Sequence, residues 1–479
     1  MEAEGRVKFQ AMDKEDLIDI ILSQNEAILK QNEEIRKLKE QLNRNSENSS
    51  KPPSSDGYKK RRKPQSERVK SEKKSGGQPD HEGSTLRLVE NPDIIEKHDV
   101  LECDECKQDL SKVDAEITVR QEIDIPPIKP KVTEHHIASK VCPRCKKINK
   151  AGPETLTQSI QYGPRIKVLA TYLHYEQLIP LQRTQGIFSD LFGLSISEGT
   201  LVNVHHEVSE QLRQPEIEIK THLMKSAVIN CDETGLVVNN QTQWLHSVSN
   251  SMATFYFVHK KRGTEAMDAM EILPNYTGIA QHDHWKCYFK YTSCKHALCN
   301  AHHVRELRGI FENYQQEWAN KMRLLLYKIN DIVNDCKKAG MTELPQEQIT
   351  EFSNSYDDIL ATAKNEVPLA TPTQNLKKRG RIKQHPSKNL LDRLTQFKQE
   401  TLLFMYDFRV DFSNNQAERD IRMMKLRQKI SGCFRSQQGA QRFCRIRGYI
   451  STARKQNINV LSALELAARG QPPNLFNVL

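Results

Sequence analysis

A chain of 479 residues is too long for one ordinary domain and predicts three or four. Charged residues make up 28% and hydrophobic ones 37%, with no apolar run near 18 residues; this excludes a membrane-spanning helix and fits modest cores joined by polar linker. The net charge of +10 is concentrated, with ten Lys/Arg against three Asp/Glu in residues 51–79 and eleven against two in 418–455, a distribution that attracts a polyanion, most often nucleic acid. The N-terminus, Met1-Glu2-Ala3-Glu4-Gly5, lacks the basic and apolar regions of a signal peptide, so a cytoplasmic location is expected. The eleven cysteines are then reduced, and Cys-x-x-Cys pairs read as metal sites.

In chain order, residues 1–48 predict a coiled coil. Ile21, Ile28, Ile35 and Leu42 recur every seven residues, Leu17 and Leu38 join the seam, and polar Gln24 and Gln31 sit within it. The coil implies a homo-oligomer; a helix packed on its own protein is the alternative. Residues 49–84 are rich in Ser, Pro, Lys and Gly and predict a flexible basic linker, with Lys60, Arg61 and Arg62 as DNA contacts. In residues 85–155, Cys103-x-x-Cys106 and Cys142-x-x-Cys145 predict one structural Zn²⁺ held by four thiolates in a closed tetrahedron, with a strand-like alternation over 117–140 between them. Residues 156–222 predict helices. The turn Gly193-Leu194-Ser195-Ile196-Ser197, with Ser197 as a cap, suits a helix-turn-helix DNA-binding region or any helical hairpin.

Residues 223–300 change character. A strand over 228–238, a turn at Asn239-Asn240, strands over 244–249 and 254–259, a helix over 264–273 and a strand ending at Asp283 match the opening of an RNase H-like core. Residues 301–405 predict a helical insertion, broken by the basic segment 377–383. Residues 406–479 return to the core and end in basic helices. The fold class expected is therefore multidomain α+β. Three acids stand out: Asp232 and Asp283 after apolar runs, and Glu418 opening a helix. Such a trio suits a pair of hard cations acting on phosphate oxygens and on an attacking water or hydroxyl. The plainer readings are a strand-end turn for Asp232, pairing of Asp283 with His282, His284 or Lys286, and an ion pair of Glu418 with Arg422. Glu418, Arg422, Lys425 and Lys429 share one helical face, with Arg419 beside it, and predict a stripe that receives phosphate. Asn415 is expected to orient the Glu418 carboxylate. His302 or Arg305, in Cys299-Asn300-Ala301-His302-His303-Val304-Arg305, is expected near phosphate, and the Cys and His there form a weaker candidate for a second metal.

The joint order of motifs resembles the insertion-sequence sixty-six family of bacterial DDE transposases. It is carried by Asn48-Ser49-Ser50-Lys51-Pro52-Pro53-Ser54-Ser55-Asp56, Gly76-Gly77-Gln78-Pro79-Asp80-His81-Glu82-Gly83, the cysteine pairs, Cys231-Asp232-Glu233-Thr234, Cys299-x-Ala301-His302, Asn414-Asn415-x-x-Glu418-Arg419-x-x-Arg422 and Lys429-Ile430-Ser431-Gly432-Cys433-Phe434. The family usually follows its second Asp with Gly-Tyr, where this chain has His284-Trp285. The resemblance implies that Asp232, Asp283 and Glu418 are the catalytic triad and hold two Mg²⁺ ions. It also implies binding to element ends and target DNA, phosphodiester hydrolysis with strand transfer, accessory proteins of the same element, and a nucleoid-associated bacterial protein. The competing expectations are a non-catalytic DNA-binding derivative of a transposase, and a zinc hydrolase using Cys299 and His302.

Overall fold

The computed structural model describes residues 13–49, 86–153, 156–367 and 384–476; Lys60, Arg61, Arg62 and the basic segment 377–383 lie outside them. Helix α1 (Lys14–Asn43) starts at Asp13, whose carboxylate accepts the Glu15 and Asp16 amides that a helix start leaves open. No residue of α1 is buried, and Ile21, Ile28, Ile35 and Leu42 are all exposed. Past α1 the chain closes on itself before the expected linker, whose residues 50–84 lie outside the described ones. Residues 45–49 close a turn in which Asn45 N donates to Asn48 Oδ1 (2.9 Å) and Asn48 N to Asn45 Oδ1 (3.2 Å). Asn48 also donates to Glu312 (3.0 Å), and its carbonyl would stand 2.2 Å from a Cβ at Gly309, so only glycine admits this approach. Asparagine side chains that satisfy their own turn let this polar segment dock without an apolar face.

The cysteine region is held by little. Its paired strands are β1 (Ser139–Val141) and β2 (Ile148–Lys150), antiparallel. The alternating segment 117–140 was expected as strand, but it stays unpaired up to β1. One long-range tie comes from the Gln121 side chain, which brackets Val89 N and O at 2.7 and 2.8 Å. Ile117, Val119, Ile123 and Ile125 remain exposed, so the alternation has no surface to bury. Next come α2 (Pro164–Thr171), a π-helical turn (Tyr172–Glu176), α3 (Leu181–Phe192), α4 (Glu198–Gln211) and α5 (Arg213–Lys225). Gly193 ends α3 in the left-handed region (φ 63°), and Ser197 Oγ accepts Thr200 N (3.1 Å) to start α4. Phe188, Ile196, Leu201 and Val204 fill the angle between them.

The centre is a five-stranded sheet. Strand β3 (Val228–Val238), β4 (Gln241–Ser249) and β5 (Thr254–His259) form a meander. Asn239 and Asn240 both have positive φ (46° and 59°), the conformation of a two-residue hairpin turn whose twist matches its strands. After α6 (Thr264–Met270), β6 (Ile279–His282) and β7 (Lys295–Leu298) add in parallel on the other side of β3, giving the order β5-β4-β3-β6-β7. Alternation divides the faces. Ile229 and Ala280 join the larger core, while Val228 and Ile279 pack on a second core. That second core belongs to α7 (Asn300–Tyr314), α8 (Glu317–Lys338), α9 (Gln346–Glu366), α10 (Pro386–Gln396) and α11 (Lys398–Tyr406), around fully buried Trp318 and Tyr356. The chain then returns through α12 (Asn415–Ser431), α13 (Gln437–Lys455) and α14 (Val460–Ala468). Residues of α12, α13 and α14 contribute Ile421, Met424, Phe443 and Leu464 to the larger core. No helix of the described residues is long and apolar enough to cross a membrane.

Candidate active site

The parallel pairing of β3 with β6 brings the first two acids together. Val228 pairs with Ile279, Ile229 with Ala280 and Asn230 with Gln281, so the same offset carried two residues on sets Asp232 beside Asp283. Asp232 lies within β3 rather than at its end, opposite Ser247 of β4, at the point where β6 has stopped. Its carboxylate accepts Glu233 N (2.8 Å). Burial, and then the neighbouring charges of Glu233, Asp283 and Glu418, hold the Asp232 carboxyl well above the usual carboxylate range. Asp283 caps its own loop, accepting Trp285 N (2.9 Å). Glu418 lies in the first turn of α12, with Oε1 3.6 Å from the Arg305 guanidinium and 3.9 Å from His302 Nδ1, both on α7. Its nearest cations are therefore on another helix, and not Arg422 four residues on. Glu418 Oε1 is buried without a hydrogen-bond partner.

An amide cluster behind the acids fixes their positions. Asn230 Nδ2 donates to Gln281 Oε1 (3.0 Å) and to Asn414 Oδ1 (2.9 Å), Asn414 Nδ2 donates to the Cys231 carbonyl (2.7 Å), and Gln281 Nε2 to the Asp411 carbonyl (2.5 Å). Asn230 and Gln281 each precede an acid by two residues, hence on the same face. Asn414 precedes Glu418 by four. The cluster thus ties together the two strands and the helix that carry the three carboxylates. Asn415, expected to orient Glu418, is exposed and lines an adjoining cleft of about 650 Å³ with Arg305 and Arg419. Asn414 precedes α12 but makes no capping bond to it, because its side chain is engaged by β3. The sequence contained a signal for two of the amides, Asn230 and Gln281: polar residues embedded in apolar runs two positions before an acid.

On the opposite face of β3, Glu233 is almost wholly buried and accepts from Arg262 Nε (3.0 Å), Arg262 Nη2 (2.7 Å) and Tyr288 Oη (2.6 Å). Its carboxyl is pushed up by burial and by Asp283. The Arg262 guanidinium stacks between Trp244 (4.9 Å) and Trp285 (4.2 Å). Trp285, part of the His284-Trp285 departure, thereby links the Asp283 loop to this buried pair.

The expected basic stripe is only partly exposed. Arg419, Arg422 and Lys429 face solvent. Lys425 instead donates to the Gly235 carbonyl (3.1 Å), with its ammonium pKa lowered by burial. Arg427 is buried, stacked 3.6 Å above Phe434 and 5.2 Å from Phe443. Arg445 pairs with Glu216, Arg447 and Arg454 with Glu176, and Lys455 with Asp420. Much of the positive charge of 418–455 therefore holds helices together, because a helix rich in arginine can pair with its packed neighbours as readily as with a polyanion.

The cysteine pairs form two like knuckles. Cys103 N donates to Gln108 O and Lys107 N to Cys103 O; Cys142 N donates to Lys147 O and Lys146 N to Cys142 O. Lys107 and Lys146 take left-handed backbone (φ 59° and 62°). Amides of Cys106 and Glu105 lower the Cys103 thiol pKa, and amides of Cys145 and Arg144 that of Cys142, so each knuckle favours the thiolate a metal needs. Among the described residues the four thiols do not stand within 4.8 Å of one another in the absence of metal. Among the described residues, no buried apolar side chain draws the two half-sites together.

Residues 159–442, more than half of the chain, match the family described as Transposase IS66 family. The chain belongs to the IS66 transposase family. In this IS66-family transposase, residues 101–146, which hold both cysteine pairs, match the zinc-finger binding domain of transposase IS66, and residues 2–87 match a family of unknown function. No curated protein matches the chain significantly. The mixed sheet and zinc-finger region agree with the multidomain α+β class expected from the sequence.

Proposed function

We propose that this chain is a DDE-type enzyme with an RNase H-like core, which binds the ends of its insertion sequence, hydrolyses a phosphodiester there and joins the freed 3′-hydroxyl to target DNA. The observation that carries the reading is the convergence of Asp232, Asp283 and Glu418 from β3, the end of β6 and α12. The burial of Asp232 beside the charges of Asp283 and Glu418, and a Glu418 Oε1 that accepts no hydrogen bond, fit a hard divalent cation. The three carboxylates would hold two Mg²⁺, which when bound activate the attacking oxygen and stabilise the leaving one. The chain's own residues supply position and charge. Asn230, Gln281 and Asn414 set the carboxylates; Arg305 and His302 stand where a phosphate would approach Glu418. Arg419, Arg422 and Lys429 neutralise the strand leading away, as Lys60, Arg61 and Arg62 would elsewhere. Lys425 contributes to packing.

The two cysteine knuckles would be held together by one Zn²⁺, replacing the missing apolar core of that module. A second copy of the chain would cover the exposed seam of α1 and bring two element ends together. Accessory proteins of the same element and a nucleoid-associated location belong to the same reading.

The test is Mg²⁺-dependent nicking of DNA carrying the parent element's ends, with wild type against Glu418→Gln. We expect equal DNA binding and a loss of nicking of at least about 10³-fold, the scale of losing a group that acts only in the transition state. Equal nicking by both proteins would remove Glu418 from the site. No nicking by wild type in the presence of the element's other proteins would favour a DNA-binding derivative without catalysis.

A further inference from the structure

One cluster is not explained by the triad. The donor atoms of Cys299, His302 and Glu418 all lie within 4.8 Å of one another, the only such metal-donor group among the described residues. Cys299 caps the start of α7, His302 lies in its first turn, and Glu418 faces both from α12. His302 Nδ1 and Glu418 Oε1 point toward each other, both shielded from solvent and neither hydrogen-bonded. Cys299 Sγ accepts Asn414 N (3.2 Å), which ties the sulfur to the residue that precedes α12. One sulfur, one imidazole nitrogen and one carboxylate oxygen make a donor set that zinc takes readily and Mg²⁺ does not. Zinc bonds of roughly 2.0–2.3 Å bring donors somewhat closer than they stand here, so the site closes by a small side-chain movement. The Arg305 guanidinium stands 3.6 Å from Glu418 Oε1 and lines the adjoining cleft of about 650 Å³.

We propose that Cys299, His302 and Glu418 form a second metal site, selective for a thiophilic divalent cation such as Zn²⁺, with one position left to water. Binding there engages Glu418 and withdraws it from Asp232 and Asp283, so Zn²⁺ switches off the Mg²⁺-dependent site. The binding half stands on the donor cluster alone, whereas the switch half rests on the proposed DDE reading. On binding, the Cys299 thiol loses its proton to solvent and no redox change occurs.

Full-length protein with its cysteine knuckles already zinc-loaded is titrated with Co²⁺. We expect one further equivalent, with a thiolate-to-cobalt absorption band that disappears in Cys299→Ser and His302→Gln and persists in Asp232→Asn. Serine keeps an oxygen to accept Asn414 N, and His302→Gln serves if Cys299→Ser folds poorly. The same metal count in wild type and both variants, or a surviving band, overturns the site. The switch is read as the ratio of nicking with and without micromolar Zn²⁺ at constant Mg²⁺, within each protein. At least a tenfold drop in wild type and none in Cys299→Ser supports it; equal drops overturn it. If no protein nicks, the DDE reading fails, while the cobalt band still decides whether the site exists.

Discussion

Asp232 occupies a place that disfavours its own charge. Burial comes first, then Glu233, Asp283 and Glu418, and each raises the carboxyl pKa. The sign follows from linkage. Folded Asp232 holds its proton more tightly than the unfolded chain does, so its contribution favours folding at low pH and is lost as pH rises from the ordinary carboxylate range through the raised folded value. At neutral pH without metal, Asp232→Asn should therefore raise the thermal midpoint, by about 2–4 °C for each kcal/mol of repulsion relieved, while abolishing nicking. Mg²⁺ should raise the midpoint of wild type and have little effect on the variant, as read by scanning calorimetry. No rise in metal-free Asp232→Asn would mean that the carboxylates do not repel as described. The neighbouring asparagines separate in the same way. Asn414→Ala removes one of the two acceptors of Asn230 Nδ2 and the side-chain donor to the Cys231 carbonyl, and should cost about 1–3 kcal/mol in urea unfolding. It should also slow nicking by roughly 10–100-fold, the scale of removing a group that orients a metal ligand. Asn415→Ala, at an exposed position, should stay within about 0.5 kcal/mol. The reverse ranking would restore Asn415 as the orienting residue.

At the scale of elements, charge on α12 and α13 divides by what each helix packs against. Arg445 reaches across to Glu216, Glu210 and Ser209 on α4 and α5, and Arg447 to Glu176 in the π-helical turn. Arg422 points to solvent. Arg422→Ala should thus leave stability within about 0.5 kcal/mol and reduce the slope of log affinity against log salt for end DNA by about 1. Arg445→Ala should cost about 1–3 kcal/mol by leaving half-buried partners unpaired, with the salt slope unchanged. A changed salt slope in Arg445→Ala would place α13 at the DNA. The helical pair α3 and α4 follows the same logic. Its turn and Ser197 cap were legible in the sequence, but residues of α4 also support α13 through Arg442 donating to the Val202 carbonyl (3.0 Å).

Across the whole molecule, cohesion is uneven. The sheet and its helices enclose two large apolar cores, whereas the described residues of the cysteine module bury no apolar side chain. Removal of zinc with a strong chelator should therefore unfold residues 85–155 while the thermal transition of the core persists, and zinc should restore the module. Hydrogen exchange resolved along the chain checks this; a module equally protected with and without metal would show that other contacts hold it. The turn at residues 45–49 joins the extremes of the molecule, because Asn48 packs on Gly309 of α7, the helix that begins with His302 and Arg305. Helix α1 is thereby anchored one helix away from Glu418.

The sequence alone determined what is local: the heptad spacing of α1, the two knuckles, the Asn239-Asn240 turn, the Ser197 cap, and the apolar runs that end near Asp232 and Asp283. Each depends on residues within a few positions of one another, where backbone geometry and side-chain period decide the outcome. Tertiary structure decided what depends on partners far away in the chain. The register of β3 against β6 aligned the first two acids, and α12 brought Glu418 back across the helical insertion. Short β7, broken by polar residues and lacking alternation, emerged only from its pairing with β6. Asn414 and Asn415 are alike as letters and differ only in burial, as do Arg422 and Arg445 in what stands opposite them. A sequence shows which groups a chain possesses; burial and long-range pairing, set by the packed whole, decide which of them hold the fold and which remain free to act.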